Sequence, residues 1–349
     1  MQSVLETFFS PARVSRTEML PKGGSERSYH RAWVGDTTYL VCENKNIREN
    51  ETFFYFTQFF RARGMALPEI LFISPDRTMY IQEDLGRSTL LDKLLDEGYT
   101  PALKELYRQS VRALVQMQWD GGRELDFTKC FPYTQFDAPA LLADLNYFKY
   151  YFLDLHQQSY DKQQLQKEFL LIAQQVAEAE PKAFMYRDFQ GRNIMVHQQQ
   201  PYFLDYQGGM LGPVQYDMAS LLWQAKAALP DEWRDELYQA FKTSWKEYIV
   251  LNEEDFDRGY AVMVLARLLQ VLGAYGLRGK IEKRPHFLKS IPLGLHNLQQ
   301  WQQQYSLPEY PELMRVIRQL TEEVLPQYTS PVSPANTHPE SVLHVHINS

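Results

Sequence analysis

The stretch AFMYRDFQGRNIMV, residues 183–196, followed by PYFLDYQ, residues 201–207, decides how this chain is read. Its centre is Tyr186-Arg187-Asp188-Phe189-Gln190-Gly191-Arg192-Asn193, which sets an acid and an amide five positions apart. The apolar run Ile194-Met195-Val196 follows, and twelve residues past Asn193 the strand-like Tyr202-Phe203-Leu204 ends at Asp205. The chain around this stretch carries helical periodicity. An irregular island inside a helical scaffold is a common place for chemistry, because a rigid frame can hold a loop at fixed geometry.

Working outward, apolar residues recur at helical spacing over 88–97, 101–119, 138–156 and 161–179 before the island, and over 217–227, 231–249, 253–276, 285–304 and 310–324 after it. The N-terminal part reads differently. After a short helix at 2–9, the runs VSRTEML, ERSYHRAWV and TTYLVCE are rich in Val, Tyr, Trp and Thr and are separated by the turn signals PKGGS and GD, which predicts an antiparallel meander. IRENETFFYFTQFFRARG, residues 47–64, has a helical aromatic face and a glycine at its end. EILFIS and TMYIQED then predict two more strands about a turn at Pro75-Asp76. The expected class is α+β and bilobal: residues 14–86 as a five-stranded antiparallel lobe, 87–325 as a helical lobe, and 326–349 as a proline-containing tail. The last residues, VLHVHINS, alternate like a strand and read either as the start of a further domain or as a disordered end.

Asp-x₄-Asn, a strand, and then a second Asp are the residue types that phosphoryl transfer requires. One carboxylate accepts the proton of an attacking hydroxyl, while an amide oxygen and a second carboxylate hold Mg²⁺ against phosphates. Taken singly, Asp188, Asn193 and Asp205 also suit turns and caps, and it is their joint placement that carries the reading.

Composition removes other classes. With 349 residues, 44% hydrophobic and 23% charged, the chain is long enough for two lobes and apolar enough for a large core. A formal net charge of −7 is not that of a nucleic-acid binder, which needs a cationic surface. Cys42 and Cys130, the only cysteines, exclude a disulfide framework. The N-terminus lacks the pattern of a secretory signal and no run approaches the roughly 20 apolar residues of a bilayer span, so neither membrane nor nucleic acid is an expected partner and a cytoplasmic location is expected.

On these residues the chain resembles the aminoglycoside phosphotransferase and choline kinase superfamily, which shares the protein-kinase-like fold, over roughly residues 15–305. The pieces Arg187-Asp188, Asp205-Tyr206-Gln207 and Gly212-Pro213-Val214-Gln215-Tyr216-Asp217-Met218-Ala219-Ser220-Leu221-Leu222 are most similar to those of bacterial kinases acting on the anomeric hydroxyl of cell-wall amino sugars. The resemblance implies ATP and Mg²⁺ as cofactors, Asp188 as base, Asn193 and Asp205 as metal ligands, and Asp217 as a helix-capping brace for the catalytic loop. It implies that Gly23, Gly24 and Ser25 cover phosphate and that the backbone of Glu83, Asp84 and Leu85 holds adenine. It implies a small acceptor (sugar, amino sugar or amino alcohol), with Asp144 and Asp154 as candidate contacts.

Two positions depart from the pattern. Tyr186 stands where His is common, and the third strand, TYLVCEN, has no lysine to grip the α- and β-phosphates. Lys45 lies just beyond that strand and Arg31 on the one before, and either Glu49 or Glu51 could be the acid that pairs with a phosphate-binding cation. A catalytically inactive kinase-like binding or regulatory module is the alternative function. A protein kinase ranks below both, since no Asp-Phe-Gly or Ala-Pro-Glu segment occurs.

Overall fold

Strand-forming residues in the first ninety positions meet as a single sheet. The computed structural model describes residues 2–10, 13–21 and 27–329. After helix α1 (Gln2–Phe9), strands β1 (Arg16–Met19), β2 (Ser28–Val34) and β3 (Thr37–Glu43) form the expected meander, helix α2 (Ile47–Arg61) crosses over, and β4 (Ile70–Ile73) and β5 (Met79–Glu83) complete an antiparallel sheet of order β1-β2-β3-β5-β4. Val34 pairs with Thr37, so Gly35 (φ +58°) and Asp36 make a two-residue hairpin loop whose first position suits glycine. Asn46 caps α2 by accepting from the Glu49 amide, and Gly64 (φ +80°) follows its end.

Period-2 alternation gives the sheet two apolar faces. Ala32, Val41 and Ile81 pack under Leu5 and Phe9 of α1. On the opposite face Cys42 and Tyr80 pack against Phe53 and Phe54 of α2, and this cluster continues without a break into the helical lobe.

The helical lobe begins with α3 (Leu90–Glu97), which Thr89 and Asp92 start with a capping box, and α4 (Pro101–Glu124), capped by Thr100. Then come α5 (Ala138–Phe148), α6 (Lys162–Glu178), short strands β6 (Lys182–Met185), β7 (Ile194–His197), β8 (Gln200–Phe203) and β9 (Met210–Pro213), and α7 (Gln215–Leu222), α8 (Asp231–Lys246), α9 (Glu253–Tyr275), α10 (Pro285–Leu288), α11 (Ile291–Gln304), α12 (Pro311–Gln319) and α13 (Leu325–Thr329). The island therefore forms two antiparallel strand pairs, β6 with β9 and, inserted between them, the hairpin of β7 with β8.

Several expected helices are interrupted. The helix expected over 138–156 opens into a wide turn at Lys149–Leu153, that expected over 285–304 is split into α10 and α11, and α9, expected over 253–276, runs on into a wide turn at Gly276–Ile281. These turns meet: a Cβ at Gly276 would lie 1.7 Å from the Tyr151 carbonyl oxygen, so only glycine permits the approach. The chain stays helical to Thr329, past residue 325, where the prolines predict a linker. The strand-like VLHVHINS lies outside the described residues.

One expectation about hydropathy is corrected. The helix Glu253–Ile281 is long and apolar enough to cross a membrane by length and composition. In the fold it is a core helix, with 72% of that apolar window buried inside the protein.

Candidate active site

Close packing fixes strand β6, which leads into the catalytic-loop pattern. Gly121 of α4 lies so near it that a Cβ there would sit 2.5 Å from the Phe184 side chain. Beyond Met185 the backbone turns sharply, and Arg187 adopts a left-handed conformation (φ +74°). The turn is held by Asp217 in the first turn of α7. Its Oδ2 accepts from the Tyr186 amide at 2.8 Å and from Gln118 Nε2 at 2.9 Å, and its Oδ1 accepts from the Arg187 amide at 2.8 Å. Ser220 Oγ adds a bond to the Arg187 carbonyl at 3.0 Å. Asp217 thus braces the loop, but it does not cap its own helix as expected, because α7 starts without a side-chain cap. Burial lifts its carboxyl to about 7, against the pull of the donated hydrogen bonds.

Asp188 emerges from this turn with its side chain 40% exposed. Its Oδ1 accepts from Arg267 of α9 at 2.8 Å. Desolvation works against the ionised form, but the charges of Arg267, Arg192 and Arg187 and the bond from Arg267 outweigh it and hold the carboxyl below its ordinary value. Asn193 Nδ2 donates to the Asp188 carbonyl at 2.9 Å, and the Asn193 carbonyl accepts from the Leu204 amide at 2.9 Å. Because Ile194 pairs with Phe203, Asp205 follows directly on the residue bonded to Asn193. Asp205 has φ +63° and receives a bond from Gln207 Nε2 at 2.7 Å. These bonds bring Asp188, Asn193 and Asp205 together on adjoining backbone. Tyr186, buried, donates its hydroxyl to the Leu204 carbonyl and so ties the loop to the strand that presents Asp205.

Of the two acids considered for an acceptor, Asp144 on α5 faces the site, 3.3 Å from the Arg187 guanidinium. Burial raises its carboxyl, while Arg187 and Arg267 lower it. Asp154 is exposed and accepts from Tyr160 instead, outside this cluster.

In the strand-rich lobe, Gly23, Gly24 and Ser25 lie outside the described residues. Along 83–85 the amide of Glu83 donates to the Glu69 carbonyl at 2.9 Å, and the Asp84 carboxylate receives the Arg31 guanidinium. Leu85 has its carbonyl 3.3 Å from His197 Nδ1, and its amide has no acceptor among the described residues. The hairpin β7–β8 is bonded to this connecting segment, from the Val196 amide to the Ser88 carbonyl at 2.9 Å.

Of the two cations near the third strand, Lys45 is exposed, and Arg31 is taken up by Asp84 and the Gly86 carbonyl. Sequence reasoning missed Arg27, which pairs with Glu49 of α2 and lies 3.5 Å from Asp205 Oδ1. Glu51 faces away and pairs with Arg77. Arg267 was also missed, although a single charge within the apolar VMVLARLLQVL was a visible signal.

Residues 17–256 match the phosphotransferase enzyme family. The chain belongs to this family. An N-acetylmuramate/N-acetylglucosamine kinase of Pseudomonas aeruginosa (strain PAO1) is 25% identical over 295 residues, which cover 80% of this phosphotransferase and 82% of that protein. A protein of the same name from Neisseria meningitidis serogroup B is 25% identical over 299 residues, 83% of this chain and 87% of the other. Among solved structures, the choline kinase of Streptococcus pneumoniae superposes with a TM-score of 0.58 at 12% identity, over 86% of this chain and 98% of that one, a likeness of fold.

The phosphotransferase therefore has the kinase-like architecture expected of it, and its acid and amide donors fit a hard divalent cation. No group of three or more His, Cys, Asp or Glu that could hold a metal occurs among the described residues. Mg²⁺ needs no such cage, since it is usually bound through one or two carboxylates together with substrate phosphates. The amide nitrogen of Asn193 is engaged with the Asp188 carbonyl at 2.9 Å, which leaves its side-chain oxygen free to accept a cation.

Proposed function

We propose that this phosphotransferase moves the γ-phosphoryl group of ATP to a hydroxyl of an N-acetylated amino sugar. The observation that carries the chemistry is the half-exposed Asp188 carboxylate, held ionised by Arg267 and joined through Asn193 to Asp205. The acceptor class rests on the amino-sugar kinases to which most of the chain is similar. The proposed site of action is the cytoplasm, where ATP is at hand.

In this reading Asp188 offers its Oδ2 to the acceptor hydroxyl and takes its proton as that oxygen bonds to the γ-phosphorus. The bond from the γ-phosphorus to its bridging oxygen breaks, and the nucleoside diphosphate leaves. Mg²⁺, when held by Asn193 and Asp205, would neutralise charge on the phosphates. Arg267 fixes the rotamer of the base from below, and Asp217 holds the loop backbone through Tyr186 and Arg187. Asp144, set against Arg187 beside the base, is the acid best placed to receive a hydroxyl of the acceptor. The Leu85 amide, which has no acceptor among the described residues, is the proposed hinge donor to the adenine ring.

Release of ADP, measured with a panel of amino sugars, neutral sugars, aminoglycosides and amino alcohols, tests this reading. Turnover with N-acetylated amino sugars is expected. Turnover confined to amino alcohols or aminoglycosides would overturn the acceptor assignment. Nucleotide binding with no turnover on any acceptor would favour a non-catalytic module.

A further inference from the structure

Transfer of a phosphoryl group by proteins of this architecture relies on a cation paired to an acid of the helix that crosses the small lobe. The third strand here supplies none, since Cys42 occupies its buried, α2-facing side. A cation nevertheless stands at that place. The Arg27 side chain is only 6% exposed, forms an ion pair with Glu49 of α2, and reaches to 3.5 Å from Asp205 Oδ1. It thus spans the helix acid and the acid of the candidate metal site.

The pair is built in. Glu49 Oε2 also accepts from Asn44 Nδ2 at 2.8 Å, and Asn44 is fixed in turn by Asn50 at 3.0 Å. Helix α2 is itself tied to the metal-site segment, where Thr57 and Tyr206 share a hydrogen bond between hydroxyls. The neighbouring cations are engaged elsewhere: Arg31 with Asp84, Arg61 with Glu69, Arg77 with Glu51. Arg27, by contrast, keeps a buried Nε without a hydrogen-bond partner among the described residues. A buried donor of this kind is costly unless a ligand completes it.

We propose that Arg27 is the phosphate clamp of this enzyme, in place of a lysine on the third strand, and that Glu49 is the residue that positions it. The inference rests on reading the cleft as a nucleoside-triphosphate site. A guanidinium suits the task from the position just before β2, because its five N–H donors allow it to keep Glu49 and still face a triphosphate oxygen.

The test is equilibrium binding of Mg·ATP, Mg·ADP and adenosine to the full chain and to Arg27→Met, Arg27→Lys and Glu49→Gln. Arg27→Met is expected to weaken Mg·ATP and Mg·ADP by about 10- to 100-fold, the range of a hydrogen bond to a charged group, and to leave adenosine unchanged. Arg27→Lys should recover part of the loss, and Glu49→Gln should weaken ATP by less than Arg27→Met with adenosine again unchanged. If Arg27→Met does not fold, Glu49→Gln decides the matter alone. Unaltered ATP affinity in the variants, beside an unaltered protein that binds ATP, would overturn the clamp and leave the phosphotransferase reading standing. Equal losses for adenosine and ATP would also overturn it. An unaltered protein that binds no nucleotide would remove the reading beneath it.

Discussion

The Arg267 guanidinium of α9 donates to Asp188 Oδ1 at 2.8 Å, joining residues 79 positions apart. Arg267 is itself buried, at 5% side-chain exposure, so its charge acts on the carboxylate with little screening by water. This contact occupies one carboxylate oxygen and leaves the other for the cleft.

Arg267→Gln tests the electrostatic half of that contact. Asp188 sits below its ordinary value because Arg267, Arg192 and Arg187 outweigh desolvation, so removing the largest of these charges must raise it. A base works deprotonated, and activity falls as pH drops through its pKa. The acid limb of the kcat profile should therefore move to higher pH, with a larger loss near about pH 5 than at neutrality. The linkage to stability has the matching sign. A depressed folded-state carboxylate stabilises above its unfolded pKa, and that contribution should shrink in the variant. Profiles that remain parallel would show that Arg267 only packs.

Asp188→Asn and Asp205→Asn should separate two roles. Loss of the base should reduce turnover by about 10²- to 10⁴-fold while Mg·nucleotide binding stays near that of the unaltered protein. Asp205→Asn removes charge from the proposed metal site, so nucleotide affinity should fall as well, and only when Mg²⁺ is present. Single-turnover rates and nucleotide titrations on both variants check this. Equal effects on nucleotide affinity would show that the roles are wrongly divided.

Asp217→Asn should damage the loop from beneath. All three groups that face the carboxylate are donors, namely the Tyr186 and Arg187 amides and Gln118 Nε2. An asparagine amide would turn N–H groups toward N–H groups. Denaturant unfolding should show a loss of about 1–3 kcal/mol, and turnover should drop more than nucleotide affinity. A variant of unchanged stability would mean that the loop is held by other contacts.

Tyr186→Phe keeps the buried ring and deletes the bond to the Leu204 carbonyl. A cost of about 1 kcal/mol is expected from unfolding measurements. Because that bond joins the base-bearing loop to the strand carrying Asp205, kcat should fall with nucleotide affinity changed little. Loss of affinity without loss of kcat would contradict the role given to this hydroxyl.

What the sequence by itself determined was the order of elements and the local chemistry. Period-2 runs before Gly86 and helical periodicity after it sufficed for two lobes, since that periodicity follows from which residues can face a core. That Asp188, Asn193 and Asp205 converge was legible for the same reason: a short loop and one hairpin connect them, so spacing along the chain sets their spacing in space. Arg27 and Arg267 were not legible as partners of this site, because each reaches it through tertiary packing that no spacing rule encodes. Glu49 and Glu51 show the limit most clearly. They lie two apart on one helix and point to different sides, and only the docking of α2 on the sheet decided that Glu49 meets Arg27 while Glu51 meets Arg77. The wide turns at Lys149–Leu153 and Gly276–Ile281 were likewise decided by tertiary contact, where Gly276 brings two backbones closer than any side chain would allow.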